Sequence, residues 1–244
     1  MNYEIDISEG IDLALYLFGN FQSHVTDNKF IKLPDDAVIF DVGANIGSVS
    51  LRLARKYPFS NIYAFEPTDY AYSKLKKNIE LNPDLETRII PTQVFLTSTE
   101  GQDHGMSIFS SWPVDTVNGD RHPIHFGIEK SSTDKQITID KFAKDNNISR
   151  IDFIKIDTDG HELDVLKGAI QSLEMFRPII IFEISLYLLE EKQQKFTDFE
   201  DLLCPLNYTL MDTRSGNRVS SANINSLVPQ AGSTDIIAIP ASNT

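Results

Sequence analysis

The chain has 244 residues, 41% of them hydrophobic and 23% charged, which suits one large domain with a substantial buried core. Asp and Glu number 35 against 22 Lys and Arg, a formal charge of -13. That balance disfavours a nucleic-acid backbone as partner, which needs clustered Lys and Arg. The single cysteine, Cys204, excludes an intramolecular disulfide and a cysteine-built zinc site, and reads as a small residue buried at a helix end.

The opening segment, MNYEIDISEG, is acidic and lacks the basic start of a secretory signal, and the apolar run Leu13–Phe18 is too short to cross a bilayer. The expectation is a soluble, cytoplasmic protein with no membrane span. Residues 1–36 read as an N-terminal extension packed on a domain over 37–244. Within the extension, SEGIDLALYLFGNFQSH predicts a helix stopped by Gly19-Asn20, with Leu13, Tyr16 and Leu17 packed on the domain.

From Val38 onward strands alternate with helices. Val38–Asp41 is a short apolar strand, and Val49, Leu51, Leu53 and Ala54 give the next segment a buried helical stripe. NIYAFEP predicts a second strand ending at Glu66, followed by a helix from Asp69 to about Leu81 on which Tyr72, Leu75 and Ile79 recur. TRIIPTQVF is the third strand, and Pro91 requires a bulge or an edge position in it. Residues 97–135 are polar, punctuated by Gly and Pro and without clear periodicity, which predicts a long connection that is functional, mobile or both.

QITIDKFAKDNN then reads as a short strand and a helix, IDFIKID as the fourth main strand, and GHELDVLKGAIQSL as one helix burying Leu163, Leu166, Ala169, Ile170 and Leu173. RPIIIFEI is the fifth strand, FTDFEDLLCPL a helix, NYTLMD the sixth strand and TDIIAIP the seventh. This alternation predicts an α/β fold with a mostly parallel, doubly wound sheet of seven strands and helices on both faces. Only loop separates the last two strands, so the final one is expected to be antiparallel.

The turn after the first strand, VGANIGS, carries the first chemical signal. Ligands of open α/β sheets lie beyond the carboxyl ends of the strands, where the strand order reverses. Gly43 and Gly47 lack a Cβ there, Ala44 is small, and Asn45 tolerates left-handed backbone. Glu66, about twenty residues on and followed by Pro67, is placed to accept ribose hydroxyls. Asn45 and Ser48 occupy the places of the second and third glycines of a dinucleotide fingerprint, which disfavours a nicotinamide cofactor and its pyrophosphate. Asp41, inside the mouth of the turn, suits a cationic ligand instead. S-adenosylmethionine has an adenosine ribose, a sulfonium and an ammonium, and meets these demands; a purely structural strand-to-helix corner is the alternative.

Three segments, IFDVGANIGSVSLRLA, IYAFEPTDYAYSKLKKNIELN and ITIDKFAKDNNISRIDFIKIDTDGHELDVLKGA, occur in one order and together resemble the FkbM family of S-adenosylmethionine-dependent methyltransferases. The resemblance runs over roughly Val38 to Ile184 and implies a class I, Rossmann-like methyltransferase fold and methyl transfer to a hydroxyl oxygen of a sugar or similar acceptor. Two departures stand out: Asp159 where the family's later motif usually has Glu, and Phe95 where it tends to have a small residue near the adenine.

The later motif, KIDTDGHE, lies where the fourth strand gives way to a helix. Asp157 is expected to face the crevice and position the ammonium of the cofactor or the acceptor. Asp159 and Glu162 have capping-box spacing. His161, in the first helical turn, is a candidate general base, oriented by Asp157 or Glu162. Capping and a partly exposed helix-start histidine are the plain alternatives, and a metal held by Asp157, Asp159, His161 and Glu162 is ranked below capping. Glu183 ends the fifth strand facing the same crevice, and Lys155, inside the fourth, either pairs with one of these acids or is exposed at a sheet edge. Trp112, near Arg121, His122 and His125, offers a face for a sugar or a buried pin for its loop. The reading that follows is an O-methyltransferase for a small-molecule or saccharide acceptor, with a non-catalytic binding scaffold as the alternative.

Overall fold

Seven strands, β1 (Val38–Val42), β2 (Asn61–Phe65), β3 (Ile89–Thr92), β4 (Phe153–Ile156), β5 (Ile179–Ile184), β6 (Tyr208–Asp212) and β7 (Thr234–Pro240), build one sheet in the order β6-β7-β5-β4-β1-β2-β3. The computed structural model describes residues 1–102, 107–111, 113–114, 128–133 and 135–241. β7 runs antiparallel to β5 and β6, and every other pairing in the sheet is parallel, as expected from the missing crossover helix. The order reverses between β1 and β4, so a crevice opens beyond the carboxyl ends of these two strands.

Both sheet faces are covered, which is why the central strands read as continuous apolar runs. On one face Phe40, Val42, Ile154, Ile156 and Phe182 join Leu163, Leu166 and Leu173 from the helices after β4. On the other, Ile39, Phe153 and Ile181 meet Val49, Leu51 and Leu53 of the helix Ser48–Lys56 and Leu75 and Ile79 of the helix Asp69–Glu80. β3 is the sheet edge, so Pro91, which pairs with Ala64, needs no N–H for an outer neighbour.

Several expectations are corrected. The third strand stops at Thr92; Phe95–Leu96 instead joins Lys135–Ile137 and Gly101–Gln102 in a separate three-stranded sheet. Within the long connection over 97–135, Ser107–Ser111 is a strand paired antiparallel to Ile128–Ser131. Trp112, Arg121, His122 and His125 lie outside the described residues. The helix after β4 is two helices, Glu162–Lys167 and Ile170–Phe176. They part at Gly168, where a Cβ would stand 2.1 Å from the Thr97 carbonyl oxygen. The short helices Leu186–Glu191 and Ile224–Leu227 carried no readable period. Cys204 does sit at a helix end, but exposed.

The N-terminal helix spans Gly10–Phe18 and ends at Gly19 in the left-handed region, as expected. Its buried face is Asp12 and Leu15, whereas Tyr16 and Leu17 are 69% and 59% exposed. Apolar residues lie all around this nine-residue helix, so only one side can be covered. The choice of side follows the ion pair between Asp12 Oδ1 and Lys74 Nζ, 2.5 Å apart and both buried. Among the described residues no helix is long and apolar enough to cross a membrane.

Candidate active site

A cavity of about 390 Å³ occupies the switch point between β1 and β4. Among the described residues, its walls combine apolar side chains with the carboxylates of Glu66, Asp157, Asp159 and Glu183 and one cation, Lys155. Four acids against one lysine make it a place for positive charge.

The turn after β1 is built by hydrogen bonds that consume its own amides. The N–H groups of Gly43 and Ala44 both donate to the Phe65 carbonyl, at 3.0 and 2.9 Å. The Asn45 N–H donates to Glu66 Oε2 at 2.9 Å, the Ile46 N–H to Asn45 Oδ1 at 2.8 Å, and the Gly47 N–H to the Ala44 carbonyl at 2.9 Å. All five amides of the turn itself are thus engaged, and none of them is free to cradle a pyrophosphate. Asn45 adopts φ 48, the left-handed conformation expected of it.

Gly43 is required for a reason other than ligand approach alone: at φ 72, a Cβ there would lie 1.8 Å from the Asp157 carbonyl oxygen. Gly47 does not line the cavity; a Cβ on it would meet Leu75 Cδ1 at 2.6 Å. Its role is to let two helices pack. Ala44, Asn45, Glu66 and Pro67 do line the cavity, together with Gly43.

Asp41 is placed differently from the sequence reading. It is 0% exposed and absent from the cavity wall. Strand alternation turns it, with Ile39, to the face of the helix Ser48–Lys56, where Ser50 Oγ donates to its Oδ2 at 2.5 Å. Lys155 Nζ lies 3.3 Å from Asp41 Oδ1 and 3.6 Å from Asp157 Oδ2, and donates to the Gly43 carbonyl at 2.7 Å. Lys155 is therefore paired in the sheet centre, not exposed at an edge. Burial disfavours its charge, yet Asp41 and Asp157 more than compensate, and its pKa is raised.

Glu66 is 4% exposed and already accepts three protein hydrogens, from Asn45 N–H, Thr68 N–H at 3.0 Å and Thr68 Oγ at 2.6 Å. An ionised carboxylate offers about four acceptor positions, so about one is left on a residue that lines the cavity. Burial raises its pKa, and the Thr68 and Asn45 hydrogen bonds partly oppose this.

Beyond β4 the chain turns sharply, with Asp159 at φ 50. The side chain of Asp159 does not cap the following helix; it lines the cavity. Burial, and then the charges of Asp157 and Glu162, push its carboxyl well above the usual range. Glu183 is raised in the same way and accepts a short hydrogen bond from Ser233 Oγ.

His161 and Glu162 are not on the cavity wall. Glu162 Oε1 turns back to accept from the N–H groups of Thr158 and Gly160, at 2.8 and 3.2 Å, and so shapes the loop that presents Asp159. His161 Nε2 lies 3.1 Å from Lys192 Nζ, and its ring meets Phe95 edge-on at 5.0 Å. Burial and then Lys192 lower its pKa to about 4. Of the four residues considered for a metal, Asp157 and Asp159 line the cavity while His161 and Glu162 do not, and the described residues hold no group of three or more His, Cys, Asp or Glu arranged for one.

One part of the wall had no specific residue signal in the sequence: Gly10, Ile11, Phe21 and Gln22 of the N-terminal segment. Gln22 Nε2 donates to Asp157 Oδ2 at 2.5 Å.

The strand order, the reversed last strand and an acid-lined cavity at the switch point define a Rossmann-like methyltransferase domain of class I. Residues 41–210 match the model of the methyltransferase FkbM domain, and the chain belongs to that family. It is 31% identical over 147 residues to the hexuronic acid methyltransferase AglP of Haloferax volcanii, covering 60% of this chain and 56% of that one. It is 29% identical over 187 residues to methyltransferase sdnD of Sordaria araneosa, covering 66% and 71%, and 27% identical over 154 residues to methyltransferase 1 of Beauveria bassiana, covering 55% and 59%. The chain thus matches little more than half the length of two of these relatives. The crystal structure of methyltransferase FkbM from Methylobacillus flagellatus KT has the same fold, with a TM-score of 0.53 and 18% identity over 87% of this chain and 47% of that one.

Proposed function

We propose that this chain is an S-adenosylmethionine-dependent O-methyltransferase acting on a hydroxyl of a saccharide or similar small molecule. The observation that carries the reading is Glu66, a buried carboxylate at the end of β2 that fixes the Asn45 amide, lines an acid-rich cavity and has about one acceptor position unused. The residues present fit the cofactor: Glu66 for the ribose, the compact turn at Gly43 and Ala44 as a surface on which the methionine end packs, Asp157 for the ammonium, and Val94, Phe95 and Leu96 as the apolar wall for the adenine. When bound, S-adenosylmethionine supplies a methyl group carried on a sulfonium.

Of the other residues, one acts on the acceptor and one holds the turn. Asp159, whose raised pKa makes it a stronger base than an ordinary carboxylate, holds the acceptor hydroxyl and takes its proton. Lys155 stays charged and fixes the Gly43 turn relative to β4. A saccharide acceptor is favoured by the similarity to AglP, a hexuronic acid methyltransferase.

Calorimetric titration with S-adenosylhomocysteine, beside Glu66→Ala, tests the reading. Micromolar binding that weakens by about 1.5–3 kcal/mol in the variant, the scale of a hydrogen bond to a charged group, supports it. No binding by the folded wild type at near-millimolar ligand sinks it.

A further inference from the structure

Gln22 stands in the left-handed region, at φ 53 and ψ 41, just before the short helix Ser23–Thr26. Gly and Asn adopt this conformation far more readily, so an unfavourable backbone is being held in place by its surroundings. The surroundings are specific. Asp12 is fastened to Lys74 on one side of Gln22, and on the other His24 Nε2 lies 2.5 Å from Asp235 Oδ2 while Asn28 Nδ2 donates to the Thr213 carbonyl at 3.1 Å. Between these anchors the Gln22 side chain enters the cavity wall and donates to Asp157 Oδ2.

The contact falls on one oxygen of the carboxylate. Lys155 also approaches Oδ2, so both protein partners of Asp157 gather there, and Oδ1 is left without a hydrogen bond among the described residues. An amide is well suited to this position, because it donates to the carboxylate without adding a second positive charge beside Lys155.

We infer that Gln22 is a positioning residue: by pinning Oδ2 it aims Oδ1 of Asp157 at the ammonium of the bound cofactor. The inference rests on the cofactor assignment above and adds to it a residue outside the span matched by the family model, residues 41–210. The N-terminal segment is on this account a working part of the cofactor site.

The test is titration of the full chain with S-adenosylhomocysteine in four forms: wild type, Gln22→Gly, Asp157→Ala and the double variant. Glycine relieves the backbone at this φ while deleting the donor, so thermal stability is expected to hold while affinity falls about tenfold or more. Because Gln22 acts through Asp157, the double variant is expected to bind no more weakly than Asp157→Ala alone, a non-additivity that a merely structural role does not produce. Gln22→Met, of matching length and without a donor, repeats the test should glycine loosen the turn. Equal affinity of wild type and the Gln22 variants, or losses at the two positions that simply add, overturns the inference while leaving the cofactor assignment intact. Failure of the folded wild type to bind overturns both.

Discussion

The Gly43 carbonyl accepts a hydrogen bond from Lys155 Nζ at 2.7 Å, so the turn after β1 is tied to the middle of β4 by a cation that is 3% exposed. The same ammonium faces Asp41 at 3.3 Å, a carboxylate with no access to water. Removing the lysine leaves that charge stranded. Lys155→Met is expected to destabilise the fold by about 3–5 kcal/mol, the range for breaking a buried pair from one side. Urea unfolding measures it, and adding Asp41→Asn is expected to recover part of the loss. A Lys155→Met protein as stable as wild type contradicts the pairing.

Gly43→Ala combines two penalties. The new Cβ meets the Asp157 carbonyl oxygen at 1.8 Å, and the backbone is left-handed. The clash cannot be relieved by a side-chain rotation, since the obstacle is the backbone after β4. A loss of about 3 kcal/mol or more is expected from overpacking and strain together. Denaturant titration reads the stability, and S-adenosylhomocysteine binding is expected to fall with it as β1 and β4 are forced apart.

The pH dependence of the unliganded protein tests the environment of Asp159. Its folded pKa is raised above the ordinary 3.8, so its contribution to stability is present below that value and lost as the pH rises through the folded one. Asp159→Asn removes the ionisation. The variant is therefore expected to match or trail wild type in melting temperature at pH 4 and to exceed it at pH 8. A domain of this size gains about 2–4 °C per kcal/mol. Methyl transfer by the same variant is expected to be lost. A variant less stable than wild type at pH 8 refutes the assignment.

His24 tests the dock of the N-terminal segment. Its pKa is raised, chiefly by the hydrogen bond to Asp235 and against the effect of burial. A histidine raised by its partner stabilises the fold below its unfolded value of 6.5, and that contribution disappears as the pH rises through the folded value. His24→Ala is expected to lower the melting temperature more at pH 5.5 than at pH 8.5. An equal drop at both pH values shows that packing, not charge, holds the segment.

Much of the fold was legible because local signals agreed. The seven strands, the reversal of the last, the bulge or edge position required by Pro91, which proves to be an edge, and the left-handed Asn45 each follow from a short-range rule. Asp41 was misplaced because β1 is buried on both faces, and in such a strand composition does not say which side a given residue takes. Gly47 looked like ligand room because glycine reports only that space or a positive φ is needed, not what occupies the other side; Leu75, 28 residues along, was the answer. The orientation of His161 depends on Lys192, and that of Asp157 on Gln22, contacts that join distant parts of the chain. Capping-box spacing at Asp159 and Glu162 was real, but Glu162 serves the loop before the helix, which frees Asp159 for the cavity.

The wall formed by Gly10, Ile11, Phe21 and Gln22 lies upstream of the residues by which the family is recognised, 41–210. A ranking of relatives by the shared region therefore compares the machinery they have in common and leaves out one side of the chamber. Two members can agree closely in that region and still admit different molecules, if their leading segments differ. Exchanging the segment that carries these four residues between two such members, with the remainder untouched, would alter that side of the chamber alone.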